Sequence, residues 1–156
     1  MAEDGDQISD PLQDRAQVRL FTLADYVADE TSGKLYISGA GLEWTGLRTR
    51  DNTIAPCHLI IRLAFPRAYA RPSHTIRVRV VDYEGNLVGP DPLLKAEMKF
   101  DLDHVPDSFT EVSGVLPVHI DGYPFTVNVD DVIFFHLVVD DVVVSTLPVE
   151  LLFSDS

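Results

Sequence analysis

A chain of 156 residues with 46% hydrophobic residues is long enough to build one domain with a true core. Twelve basic residues against 25 acidic ones give a net charge of −13, which argues against nucleic acid and against an anionic membrane surface as partners, since both require a basic face. The single cysteine, Cys57, excludes an intramolecular disulfide and a zinc-type Cys/His cluster. With no apolar leader and no stretch of transmembrane length, the expectation is a soluble protein of the reducing cytoplasm.

Residues 1–16 are polar, acidic and aperiodic. They predict a flexible tail that solubilises the protein or docks on a partner, ahead of a single domain over 17–154. Residues 18–27 (VRLFTLADYV) alternate with both faces fairly apolar, the signature of a central strand. A turn at 31–33 leads to a strand at 34–38. Gly39-Ala40-Gly41 then permits a bulge or corner before 42–45, where Trp44 reads as a core anchor. In 58–65 (HLIIRLAF), Leu59, Ile61, Leu63 and Phe65 face inward, and His58, Ile60, Arg62 and Ala64 outward.

A proline-punctuated loop separates that strand from 74–83, in which Ile76, Val78 and Val80 point in and Arg77 and Arg79 point out. Glu84-Gly85-Asn86 turns into a short strand at 87–88, and Gly89-Pro90-Asp91-Pro92 breaks the chain. Residues 93–100 have helical propensity, yet Leu94, Ala96, Met98 and Phe100 alternate with charged residues, which predicts a strand. A polar loop at 101–112 and strands at 116–120 and 125–129 follow.

The most apolar segment is a hairpin over 132–153, punctuated by Asp140-Asp141. Ile133, Phe135, Leu137 and Val139 form one apolar row, and Leu147, Val149, Leu151 and Phe153 the other. Both rows are odd-numbered, so a regular two-residue loop would place them on opposite faces. The parity requires a loop of about three residues over 140–142, or a bulge near Pro148. The whole pattern is eight to ten short strands with no major helix. It predicts an all-β fold, a two-sheet antiparallel β-sandwich of immunoglobulin-like or related Greek-key type.

Several segments together resemble a family of small uncharacterised bacterial proteins, frequent in actinobacteria. Leu20-Phe21-Thr22-Leu23-Ala24-Asp25-Tyr26 resembles its LADYA-like strand, and Gly33-Lys34-Leu35-Tyr36-Ile37-Ser38-Gly39-Ala40-Gly41 with Trp44 its GKLYI-x-GGG-W hairpin. Arg71-Pro72 and His74, with Ser73 inserted, resemble its R-P-H strand start. Phe135, Leu137, Val139 and Asp140 match its F-x-L-x-V-D-G strand, where Asp141 stands in place of the glycine. The resemblance spans about residues 18–153. It implies a β-sandwich of unknown function and brings no catalytic residues with it.

No histidine stands at a recognised spacing from a serine, cysteine or carboxylate, and no glycine-rich phosphate loop precedes a helix. The expectation is therefore a non-enzymatic module with no catalytic residues and no cofactor. Asp101, Asp103 and Asp107 put three carboxylates in one loop and are the weak metal candidates, for calcium, although a solvated loop is much the plainer account. Two surfaces are candidates for a protein partner or self-association. Phe134, His136 and Val138 lie on the outer parity of the hairpin. Arg62, Arg77 and Arg79 form a basic patch if their strands are neighbours, able to receive an acidic segment, while pairing with local carboxylates such as Glu97 is the plainer account. The function expected is binding or assembly through protein–protein contacts, with a small-ligand or calcium site in end loops as the alternative.

Overall fold

The computed structural model describes residues 16–24, 26–29, 35–38, 46–50, 53–54, 56–126 and 132–153. Residues 1–15 of the expected tail, the turn at 31–33, the stretch 39–45 with Trp44, and residues 127–129 lie outside the described residues.

The described residues form eleven strands: β1 (Gln17–Ala24), β2 (Tyr26–Asp29), β3 (Leu35–Ser38), β4 (Gly46–Arg50), β5 (Thr53–Ile54), β6 (Cys57–Pro66), β7 (Ser73–Val81), β8 (Leu94–Lys99), β9 (Glu111–Ile120), β10 (Val132–Val139) and β11 (Val142–Phe153). One sheet has the order β1-β6-β9 and a larger one β5-β4-β11-β10-β7-β8, while β2 and β3 pair as a separate hairpin. Only a single 3-10 turn, Leu102–His104, interrupts the β structure among the described residues. The two sheets pack face to face as a β-sandwich, as the alternation predicts.

The alternation works because each inward row meets one from the other sheet. Leu59, Ile61, Leu63 and Phe65 of β6 share one core with Ile76, Val78 and Val80 of β7 and with Ile133, Phe135, Leu137 and Val139 of β10. Most have no exposed surface, and each fully buried side chain of this size contributes about 1.5–3 kcal/mol before ordering costs. The ambiguous segment at 93–100 is a strand, with Met98 buried and Lys95, Glu97 and Lys99 exposed.

The C-terminal hairpin resolves its parity conflict with a bulge, but not near Pro148. Val139 pairs with Val142 and Val138 with Val143, and then Leu137 pairs with Ser145, so Val144 is the extra residue. The loop has two residues, Asp140 and Asp141, both with positive φ (47° and 68°), as a type I′ hairpin turn requires. Val149 and Leu151 are buried, as expected; the side chain of Phe153 lies outside the described residues. Pro148 sits opposite Phe134, ahead of the part of β11 that pairs with β4, where its missing N–H breaks no described ladder.

Four expectations are corrected. First, β1 is not central: among the described residues it borders β6 alone in its sheet. It is apolar on both sides because Thr22 and Ala24 are buried on its outer face while Leu23 is buried on its inner one. Second, Ile60 and Ala64, assigned to the outer face of β6, are also buried. Third, the strand predicted at 116–120 begins at Glu111, so the polar loop is shorter than expected. Fourth, β4 and β5 were not anticipated, and β4 pairs with β11 in parallel, against the antiparallel rule that the other pairs follow.

Candidate functional site

The densest polar constellation lies where β7 begins. His74 occupies the inward row with Ile76, Val78 and Val80, and it is fully buried. A buried polar ring needs hydrogen bonds at both nitrogens. Nδ1 lies 2.6 Å from Asp140 Oδ2, and the backbone N–H of Arg71 donates to Nε2 at 3.0 Å. These partners place the ring proton on Nδ1. Phe65 stacks on the imidazole with ring centroids 3.9 Å apart and planes at 16°. Asp140 also accepts the Thr75 N–H at 3.0 Å, and the Arg71 guanidinium reaches it at 3.0 Å.

Burial pushes the Asp140 carboxyl up. The His74 hydrogen bond, the Thr75 amide and the Arg71 charge outweigh it, and the carboxyl ends below its usual range. Arg71, Pro72 and His74 from the R-P-H-like stretch thus meet Asp140 from the V-D-like stretch. The meeting clamps the loop between β6 and β7 onto the hairpin tip. With Nε2 occupied and the ring under Phe65, this His–Asp pair offers no free base to a substrate. No local spacing pairs His74 with a carboxylate in the sequence. Its parity with Ile76, Val78 and Val80 was the available signal, since a histidine in a core row demands a partner.

The second constellation covers the outer face of the larger sheet. Cross-strand register sets Arg77 beside Lys95 on β8 and Val138 on β10, and Arg79 beside His136. Asp91 stands 3.5 Å from Arg79 Nε and 3.9 Å from the Arg77 guanidinium, longer than a strong charge-assisted bond. The Nε atoms of Arg77 and Arg79 are both buried without a hydrogen-bond partner among the described residues. Burial, helped by the Arg79 charge, lowers the affinity of His136 for a proton. An open groove of about 750 Å³ runs beside these residues, lined by Thr75, Arg77, Lys95, Glu97, Lys99 and Asp141.

Two of the proposed partner-binding residues leave this surface. Arg62 lies on β6, in the other sheet, so it faces away from Arg77 and Arg79 and the three-arginine patch does not form. Val138 is only 5% exposed, flanked on the sheet face by Arg77 and Val143. Phe134 and His136 remain half-buried on the face. The carboxylate that meets the arginines is Asp91, not Glu97, which contacts Lys99 at 4.0 Å.

The acidic loop does not gather its carboxylates. Asp101 bonds the exposed His104 at 2.6 Å, and Asp107 faces Arg67 at 3.4 Å. Arg67 also donates to the carbonyls of Val105 and Pro106, which fixes the loop from within. Asp103 is exposed. No group of three metal-ligating side chains converges among the described residues.

A family model described as a family of unknown function, DUF6941, matches residues 19–151. No curated protein matches the chain.

Proposed function

Because the chain belongs to this family of unknown function, we propose its role from its own surface: a non-enzymatic binding module that receives an acidic segment of a partner protein on the outer face of the larger sheet. The observation that carries this reading is the arginine pair. Arg77 and Arg79 are held side by side on one strand, their side chains remain 32% and 40% exposed, and Asp91 pairs with them only at 3.9 and 3.5 Å. Lys95 and Lys99 add positive charge along β8, with Glu97 between them, on a chain whose net charge is −13. Guanidinium groups favour carboxylates because their planar fork matches two oxygens, and half-buried Phe134 adds an apolar flank beside the arginine pair. A buried Cys57 fits work in the reducing cytoplasm.

The test is fluorescence anisotropy with a labelled peptide rich in aspartate and glutamate. Binding is expected at low salt, weakening as ionic strength rises, and lost in the Arg77→Gln/Arg79→Gln double variant. A folded protein that ignores the peptide at low salt, or a double variant that binds as well as the parent, ends the proposal.

A further inference from the structure

The opposite face of the molecule carries a second pair of basic side chains, two imidazoles, with a different geometry. His58 on β6 and His119 on β9 are directly opposite each other in the antiparallel ladder. Cross-strand partners project to the same side of a sheet, so both imidazoles stand on the outer face of the smaller sheet. His119 Nδ1 lies 3.3 Å from His58 Nε2, with ring centroids 4.7 Å apart and planes at 52°. On its other side His58 pairs in the ladder with Ala24. His119 is exposed and His58 half-buried. Among the described residues β9 is the last strand of its sheet in the order β1-β6-β9, so the exposed His119 stands at a sheet margin.

The separation is what a shared metal ion requires. A tetrahedral zinc ion holds imidazole nitrogens at about 2.0–2.1 Å, which puts two of its nitrogen ligands about 3.3–3.4 Å apart. Two tilted rings set by adjacent strands already present that bite, with no backbone movement needed to bring them together. The alternative for the same atoms is a single N–H···N hydrogen bond, which uses one lone pair and is long at this distance.

We infer that His58 and His119 form a two-histidine site for a borderline divalent ion, zinc or copper(II) rather than calcium or magnesium, with its remaining positions open to water or to a donor from a partner molecule. Neutral imidazole suits zinc and copper, while the hard alkaline-earth ions prefer oxygen. This site is independent of the acidic-segment reading, which concerns the other sheet.

Calorimetric titration with zinc chloride tests it, with magnesium in excess so that general attraction of cations to the −13 surface is already saturated. The parent protein is expected to bind one zinc ion. His119→Ala removes a ligand at an exposed position and is expected to weaken binding at least about tenfold, because even losing an outer-shell partner of a metal ligand costs about 10–100-fold. His58→Gln should do the same, and His104→Ala, which removes an exposed histidine elsewhere, should change nothing. Copper(II) is expected to bind more tightly than zinc at the same pair. Equal zinc affinity in the parent and in a folded His119→Ala variant would overturn the assignment, as would the absence of zinc-dependent heat in the parent.

Discussion

Asp140 does two things with one carboxylate: it anchors a buried histidine and forms half of a hairpin turn. Its position at positive φ aims the side chain back at His74, Thr75 and Arg71. Because its folded-state carboxyl is held below the usual range, the folded protein binds fewer protons there than the unfolded chain does in acid. The stabilisation is therefore fully present above the ordinary carboxylate range and is lost as pH falls through the depressed value. Asp140→Asn keeps a residue tolerant of the turn but removes the charge. Urea unfolding is expected to show the variant weaker by about 2 kcal/mol at neutral pH, with the gap closing in acid; a gap independent of pH would contradict this account. The sequence made half of this cluster readable. Parity put His74 in an inward row, where a polar ring must be satisfied. Its partner was not readable, because 66 residues separate His74 from Asp140 and no local spacing encodes a contact made by two strands of one sheet.

At the level of elements, the hairpin of β10 and β11 shows how far pattern reaches. The clash between two odd-numbered apolar rows demanded an extra residue, and Val144 supplies it. Parity counts residues between the rows but does not say where the surplus is absorbed. Here it lies next to the turn, where Val144 packs partly against the core, while Pro148 stays in register. The two-residue turn that results places Asp141 at φ 68°, a backbone region where glycine meets no Cβ penalty. Asp141→Gly is expected to stabilise the protein by about 0.5–1 kcal/mol, read as a higher midpoint in chemical denaturation; a destabilised variant would mean that the Asp141 side chain contributes contacts outweighing the backbone relief. The strands the sequence did not reveal are those with no apolar alternation. Gly46–Arg50 reads GLRTR, and its backbone is extended through pairing with β11 on one side and β5 on the other, partners that local sequence does not name.

For the whole molecule, the decisive fact is which sheet each strand joins. Parity predicted which side chains turn inward along β6 and β7, but a row of inward residues looks the same whichever sheet it belongs to. The basic patch failed at that step: Arg62 and the Arg77–Arg79 pair are on opposite outer faces of one sandwich. The spacing between sheets is itself tuned by a single small residue. Gly114 lies opposite Leu63 on β9, and a Cβ there would come within 2.6 Å of the Met98 sulfur and 3.1 Å of the Phe100 ring, both supplied by the other sheet's side of the core. Gly114→Val is expected to cost about 1–3 kcal/mol through overpacking, measured as a lower unfolding midpoint. Gly114→Val combined with Met98→Ala should recover part of the loss, whereas a double variant no better than the sum of its parts would show that the strain lies elsewhere.

The parallel pairing of β4 with β11 has a consequence for how the chain is made. β11 sits inside the larger sheet, between β4 and β10, yet Glu150 follows its partner Gly46 by roughly a hundred residues, a long-range closure of the kind that slows folding. During synthesis β4 and β5 leave the ribosome long before the strand that completes them. Until then the nascent chain carries an unfilled slot in its sheet, the sort of open edge that chaperones shield and that neighbouring nascent chains can pair with.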